Sequence, residues 1–563
     1  MKTKKILILT IGVVLAFLVQ TRGQTTFTKI TTGPIPLDKA QSDNGAWGDY
    51  NNDGFLDLFV FNEPGFATSP FLYRNNGDGT FTKVTSGPPG NVPADSGSAC
   101  WGDYDNDGNL DLFLAANSVN QLYHNNGNST FTRITTGSLV TDSAFHIGAA
   151  WADYDNDGFL DMFVTAYDTT GKSHNSLYRN NGSGAFTRVN TGPLVTDIGS
   201  SLGCVWGDYD NDGHIDLFVT GGGPSVAQAN RLYHNNGDGT FTRMTNGSIS
   251  TDTGYCGACA WGDYDNDGFL DLFVGNAGGL PDFLYHNNGD GTFTRVTNSI
   301  VETDTTWSAG CAWGDFDNDG FLDLFVANNQ YISNGLPAVN FLYHNNGDGT
   351  FTKITTGSIV TDSSSADGCA WADYDNDGFL DLFVSQYNAQ GNYLYHNDGN
   401  TNAWLEVKLV GTVANRSAIG ARVRVNATIG GVSRWQLRQI TGGSGWAGHN
   451  ELRANFGLGD ATNANTVRIE WPSGTVQEFQ NVAARQILTY IEPPRLSAST
   501  TNGVPKFSLK GGRGLQYEID SSPDLSLWSS IGTLTITNLN GTIQIVDTNP
   551  PALDQRFYRA VSH

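Results

Sequence analysis

The sequence predicts an all-β protein, a seven-bladed β-propeller followed by two small β-sandwich-like modules, on three observations. A string close to WGDYDNDGFLDLFV recurs seven times, starting at Trp47, Trp101, Trp151, Trp206, Trp261, Trp313 and Trp371. Repeats of roughly 50 residues indicate supersecondary units that are stacked or set around an axis. Composition agrees, because 69 glycines in 563 residues, with 12% aromatic and only 15% charged residues, describe short strands joined by tight turns. Each copy also follows one pattern of four strands. In the fifth these are ACAWGDY, DLFV, DFLYHNN and GTFTRVT, with an acidic loop between the first two and the turn NNGDG between the last two. Such a four-stranded meander is a propeller blade.

Residues 1–23 read as a secretory signal peptide: Lys2, Lys4 and Lys5 precede the apolar run ILILTIGVVLAFLV and the small residues Thr21 and Gly23. That run is short for a membrane span, and no later stretch is long enough to cross. The expectation is a secreted, cell-surface or periplasmic protein without a membrane span.

Residues 24–401 hold the repeats, and closure is legible in the outer strands. Strands of the type FT[KR] begin at Phe81, Phe131, Phe186, Phe241, Phe293 and Phe351, with one more at Phe27. The seventh copy lacks its own, so Phe27 is expected to complete it and close the ring, leaving no free sheet edge.

The acidic loops carry the chemistry. Oxygen side chains at loop positions 1, 3, 5 and 9 turn towards one point, and a glycine at position 6 permits the sharp turn; hard oxygen ligands in so tight a loop suit calcium. The candidate ligands are Asp49, Asn51, Asp53 and Asp57 in the first loop, and Asp103, Asp105, Asp107 and Asp111 in the second. Asp153, Asp155, Asp157 and Asp161 follow in the third, and Asp208, Asp210, Asp212 and Asp216 in the fourth. The remaining loops contribute Asp263, Asp265, Asp267 and Asp271; Asp315, Asp317, Asp319 and Asp323; and Asp373, Asp375, Asp377 and Asp381. Position 7 varies among Phe, Asn and His, as expected where only a carbonyl would bind. An EF-hand needs an acid at position 12, which here is Val60 or Leu114, so the loop belongs to a hairpin. About seven Ca2+ sites, one per blade, are expected, with Asn51 weakening the first.

The loops also explain the charge. With Asn51 in place of one aspartate they hold 27 of the 56 acidic residues, and loss of the leader's four cations would take the formal charge from −25 to −29. Seven divalent ions would bring it to about −15. This balance disfavours nucleic acid as a partner. Of the six cysteines, Cys204, Cys259, Cys311 and Cys369 each stand two residues before a repeat tryptophan, a small buried slot that suits a reduced thiol. Cys100 and Cys256 lie off that slot and are candidates for pairing.

At this level the repeats resemble the FG-GAP or VCBS family, the blades of integrin α-subunit propellers and of many exported bacterial proteins. The resemblance implies calcium on the face opposite the usual ligand face. From about Asn402 the repeats stop. NAWLEVKLVG, NRSAIGARVRV, GGSGWAGHNELRANFGLG and VRIEWPSGTVQEF resemble the ASPIC/UnbV domain, expected over 402–492, and 493–563 reads as a small terminal β-module after the linker Glu492-Pro493-Pro494. Gly443, Gly445 and Gly448 spell GxGxxG without a βαβ unit around them, so a cluster of turns is expected rather than a nucleotide site.

Other candidates are weighed individually. His124, His234, His286, His344 and His396 share one slot, but Arg74 and Arg179 fill it in two blades, so it reads as a solvated strand position. Asp38, Asp95, Asp142, Asp197, Asp252, Asp304 and Asp362 precede the blades and read as turn caps. The connections between the second and third strands differ most, and with Phe145, His146, Tyr167, Tyr255, Trp307, Tyr331 and Tyr387 form the expected ligand face. No GxSxG or HExxH motif is present. The expected function is calcium-dependent adhesion or recognition of an extracellular protein or glycan. Carbohydrate-active enzyme, such as a polysaccharide lyase, and structural component of an extracellular assembly are the alternatives; the sequence names no catalytic residue.

Overall fold

The computed structural model describes residues 25–63, 69–89, 97–143, 145–223, 225–329, 338–388, 390–443, 445–446, 448–501, 504–538, 541–546 and 557–562. The signal-peptide reading lies outside these residues, as do Asp95 and Tyr331.

Seven four-stranded antiparallel sheets succeed one another between Phe27 and Asn397. Their inner strands are Ser42–Gly48, Ala99–Gly102, His146–Ala152, Cys204–Gly207, Cys256–Gly262, Ser308–Gly314 and Ala366–Ala372. Phe27–Lys29 pairs antiparallel with Tyr393–Asn397, Phe27 opposite Asn397, so the N-terminal strand completes the last sheet. All seven repeat tryptophans are buried, none more than 9% exposed.

Why the sheets hold their places is visible in bonds that cross between them. Each tryptophan Nε1 donates to an inner-strand carbonyl of the preceding sheet, from Trp101 to Ala46 at 3.1 Å round to Trp47 and Ala370 at 3.2 Å. Each third strand ends on an asparagine whose Nδ2 donates to the carbonyl at loop position 2 of the preceding sheet, as Asn125 does to Tyr50 (2.7 Å) and Asn75 to Tyr374 (2.8 Å). A buried carbonyl without such a donor would cost about 1–3 kcal/mol, so these bonds set the register between sheets.

Beyond Asn402 a three-stranded sheet (Ala454–Gly459, Ala403–Val410, Ile487–Ile491) and a four-stranded one (Val432–Gln439, Arg422–Ile429, Asn463–Glu470, Val476–Ala483) share one core. Two further three-stranded sheets follow from Arg495.

The glycine-rich segment between Thr441 and Asn450, read from sequence as a cluster of turns, does turn at Gly445 and Trp446, and its place in the fold was not foreseen. It enters the axial channel of the propeller. Gly442 O accepts from Trp151 N at 3.0 Å, His449 O from Trp47 N at 3.1 Å, His449 Nδ1 from Trp101 N at 3.1 Å and Asn450 Oδ1 from Trp371 N at 2.9 Å. His449 N in turn donates to Gly45 O at 3.0 Å. Gly445 has φ +67°, and a Cβ there would strike the Cys204 backbone, so a side chain is excluded twice over. The indole-bearing Trp446 lies at the bend, its backbone N 3.2 Å from where a Gly148 Cβ would stand. The segment thus climbs along the third and fourth inner strands and returns along the seventh and first.

All six cysteines are free and buried. The pairing considered for Cys100 and Cys256 is therefore corrected: the Cys256 thiol lies 3.2 Å from Asn276 Oδ1, and burial pushes it up to about 12.

Candidate metal centre

Each acidic loop is built by its own carboxylates. In the fifth, Asp263 Oδ1 accepts from Asp267 N (3.0 Å) and its Oδ2 from Gly268 N (3.1 Å), while Asp267 Oδ1 accepts from Phe269 N (2.9 Å). Asp271 Oδ2 accepts from Tyr264 N (3.2 Å) and Oδ1 from Asn287 N (2.8 Å). Gly268 at position 6 has φ +93°, a conformation that glycine adopts without strain. The position-1 to position-6 and both position-9 bonds recur in all seven loops. The structure therefore brings together every predicted ligand, four to a loop. Asn51 is the exception in chemistry, its Nδ2 donating to Asp53 Oδ2 at 2.9 Å.

Electrostatics mark these as sites for a cation. Burial, reinforced by neighbouring carboxylates, pushes Asp57 up to about 8 and Asp271 up to about 7, and holds Asp153 and Asp263 well above the carboxylate range. Asp153 Oδ1, Asp155 Oδ1 and Asp375 Oδ1 are buried with no hydrogen-bond partner. Oxygens left in that state inside an acidic loop fit a divalent ion, which would satisfy them and relieve the repulsion at once.

One sequence reading is corrected here and another is extended. The histidines are not merely solvated. His286 Nδ1 lies 3.2 Å from both Asp265 Oδ2 and Asp271 Oδ1, and His124, His234, His344 and His396 repeat the arrangement. In the third sheet Arg179 takes that role, 2.6 Å from Asp155. The slot sets an imidazole or guanidinium against the loop carboxylates, and each group of two aspartates and one histidine has ligand atoms within 4.8 Å of one another. The inter-sheet aspartates do close turns, with Asp38, Asp142, Asp197, Asp252 and Asp362 at the C-caps of four-residue helices, their backbone N–H bonded back to the first helical carbonyl, and their carboxylates reach further. Asp197 accepts from Tyr233 Oη (3.0 Å) and pairs with Arg243 (3.1 Å); Asp38, Asp142, Asp252, Asp304 and Asp362 bind the equivalent tyrosine and Lys or Arg. They clamp each linker to the outer strands of the sheet that follows it.

Sequence reasoning passed over the asparagine at position 4. Its Nδ2 donates to the position-6 glycine carbonyl of the next loop: Asn52 to Gly108 (3.1 Å), Asn106 to Gly158 (2.8 Å), Asn156 to Gly213 (3.2 Å) and Asn211 to Gly268 (3.0 Å). Asn266 to Gly320 (2.9 Å), Asn318 to Gly378 (2.8 Å) and Asn376 to Gly54 (3.1 Å) close the belt. All seven asparagines have φ between +54° and +63°, which asparagine tolerates better than most residues. Their presence in every copy was the available signal.

The face bearing these loops is covered by the C-terminal segments. Lys408 lies 3.5 Å from Asp49, and Ser417 Oγ accepts from Asp103 N at 3.0 Å. Lys510 donates to Asp157 O at 3.1 Å, Arg422 pairs with Asp208 at 2.6 Å, and Arg424 donates to Gly268 O at 3.2 Å. Gly457 N donates to Asp315 Oδ2 at 3.1 Å, and Glu451 Oε1 accepts from Asp373 N at 2.9 Å. Every loop is touched.

On the opposite face, Phe145, Tyr167, Tyr255, Trp307 and Tyr387 are at least partly accessible. His146 is not: it is buried against Asn120, 3.0 Å away. Tyr387 spends its hydroxyl on Glu63 at 3.1 Å.

The FG-GAP-like repeat model matches residues 49–114, 103–164, 153–219, 208–274, 263–326 and 317–384, and the model described as ASPIC and UnbV matches 411–496. Cartilage acidic protein 1 of Homo sapiens is 30% identical over 318 residues, 54% of this chain and 43% of that protein. Its Mus musculus counterpart is 29% identical over 312 residues, 54% of this chain and 44% of that protein. The chain thus aligns with less than half the length of these relatives. Among solved structures, an Agrocybe aegerita lectin that recognises non-reducing terminal N-acetylglucosamine has a TM-score of 0.41 at 19% identity, covering 63% of this chain and 93% of its own. The fucose-specific lectin from Aleuria aurantia has a TM-score of 0.36 at 11% identity, covering 58% and 99%. With six overlapping matches spanning residues 49–384 and taking in all seven acidic loops, the chain belongs to the FG-GAP-like repeat family and carries an ASPIC and UnbV domain behind it.

Proposed function

We propose that this protein is an exported, calcium-binding recognition protein that engages an extracellular protein or glycan on the propeller face opposite the acidic loops. One observation carries the reading. Among the described propeller residues, every large apolar side chain that is strongly exposed, Leu37, Phe145, Ile198, Leu280, Ile300 and Val339 at 36–65%, sits on that face, in linkers or in connections between second and third strands. The other face is occupied by the chain's own C-terminal segments, so an incoming partner meets only the first. Apolar groups confined to the face whose connections vary most from copy to copy support a binding surface there. Calcium would hold each hairpin rigid, so that the variable connections above it are presented without an ordering cost at binding.

The test is retention of the calcium-loaded protein on a glycan panel, with new sugar ends measured alongside, comparing wild type with a Phe145→Ala, Tyr167→Ala double variant. Retention that the double variant loses while its melting temperature holds supports the reading. Release of sugar ends would make the protein an enzyme, and retention unaffected by loss of this face would move the site elsewhere.

A further inference from the structure

We infer that the hairpin from Thr441 to Asn450 is a calcium-dependent latch: metal in the loops holds the C-terminal module down, and its removal withdraws the hairpin from the axial channel while the sheets stay folded. The inference rests on reading the loops as calcium sites, and on no particular ligand of the opposite face.

The module is selective in the loop atoms it uses. Among the described residues no hydrogen bond or ion pair joins it to the outer strands. It binds chiefly the position-1 backbone N–H and the position-4 asparagine, parts of the loop whose placement depends on its wrapped shape, and it reaches the position-1 carboxylate in three loops through Lys408, Arg422 and Gly457 N. Asp103 N, Asp208 N and Asp373 N donate to Ser417 Oγ (3.0 Å), Gln439 Oε1 (3.1 Å) and Glu451 Oε1 (2.9 Å). Asn106 Oδ1 accepts from Arg416 N (2.7 Å), Asn211 Oδ1 from Arg422 and Arg424 (2.9 and 2.8 Å), Asn376 Oδ1 from Arg453 (2.7 Å), and the Asn318 carbonyl from Gly459 N (2.9 Å). The asparagines are held at positive φ. Without a cation the carboxylates of each loop repel, the turn relaxes, and the groups the module reads move away from it. The asparagine belt then passes the relaxation from one loop to the next.

The hairpin is the part of the module poised to leave. It is joined to the module at Gln439 and Glu451, the same residues that bind Asp208 and Asp373 in the loops. Inside the channel it has few side chains to bury: Gly442, Gly443, Gly445 and Gly448 account for much of it, and it is held chiefly by hydrogen bonds from the inner strands. Four of those bonds come from the tryptophan amides of the first, second, third and seventh repeats. Beside it lies a cavity of about 130 Å³ lined by Trp206, Trp261, Trp313 and Gln439, whose Nε2 is buried without a partner, so one flank of the hairpin is loosely packed. Bonds that are polar, few and flanked by a void open at lower cost than the interlocked aromatic core of the sheets.

Coupling of this kind is reciprocal: if calcium favours the docked hairpin by some factor, the docked hairpin favours calcium by the same factor. The experiment uses both directions on the full chain. Hydrogen exchange is followed in calcium and after chelation, at a temperature where the second strands, such as Asp161–Ala166, remain protected. The expected result is exchange at least about tenfold faster at the amides of Trp47, Trp101, Trp151 and Trp371 after chelation, with the second strands unchanged. Equal exchange in both states overturns the latch, and so does simultaneous loss of protection everywhere, which would make calcium a general stabiliser. In the reverse direction, Gly445→Val, or the milder Asn450→Ala if the first does not fold, is expected to weaken calcium binding by titration calorimetry. Wild type that binds no calcium would refute the reading of the loops themselves; a variant with a displaced hairpin and an unchanged isotherm would refute the latch alone.

Discussion

Replacing Asn266 tests the belt of inter-loop bonds, and the structure assigns a magnitude. The side chain does two separable things: Nδ2 donates to Gly320 O at 2.9 Å, and the backbone holds φ +61°. A hydrogen bond of this kind contributes about 1 kcal/mol net, and a residue with an unhelpful Cβ at positive φ costs about 1 kcal/mol more. Asn266→Gly removes the bond and leaves the backbone conformation free, so it is expected to destabilise by about 1 kcal/mol. Asn266→Ala removes the bond and adds strain, for about 2 kcal/mol. A simple sum over seven such bonds gives about 7 kcal/mol for the whole belt, comparable to the net stability of a typical protein. The assay is urea unfolding in saturating calcium, followed by tryptophan fluorescence and compared at constant denaturant slope. A glycine variant with the wild-type midpoint would refute the belt, and an alanine variant equal to the glycine variant would refute the backbone part.

Chelation is expected to lower the melting temperature, and Asn51→Asp, which restores a fourth carboxylate to the first loop, to tighten calcium binding at one site by calorimetry; an unchanged melt in chelator would contradict metal binding. Burial lowers His449 to about 4. Its folded value lies below the ordinary 6.5, so the unfolded chain takes up the proton first and stability is lost as pH falls from about 6.5 to about 4, by up to about 3 kcal/mol. His449→Gln, which retains an acceptor for Trp101 N, should flatten that window in pH-dependent unfolding, although His146, also lowered to about 4, leaves a residual slope. The six cysteines are buried and unpaired, so a thiol reagent should find none in the native protein and all six after denaturation; a thiol count below six would mean a disulfide.

The sequence alone determined the repeat, its four strands, the closing strand at Phe27 and the carboxylates that gather in the acidic loops. These are local or periodic facts: a turn of nine residues shapes its own loop, and an outer strand missing from one copy must be supplied from elsewhere in the chain. The belt asparagines were equally visible as letters, but their partners are 52 to 60 residues away in the direct links and 322 in the closing one, and only closure of the ring brings them together. The histidines beside the loops were misjudged for the same reason, since strand three meets the loop only through sheet pairing. Tertiary structure alone decided the fate of the glycines between Thr441 and Asn450. Glycine-rich sequence marks either a turn or a close approach of two backbones, and composition cannot separate them. The approach here is to inner strands that lie more than 200 residues earlier in the first four sheets, and no local pattern records a contact between a module and a channel formed by the chain as a whole.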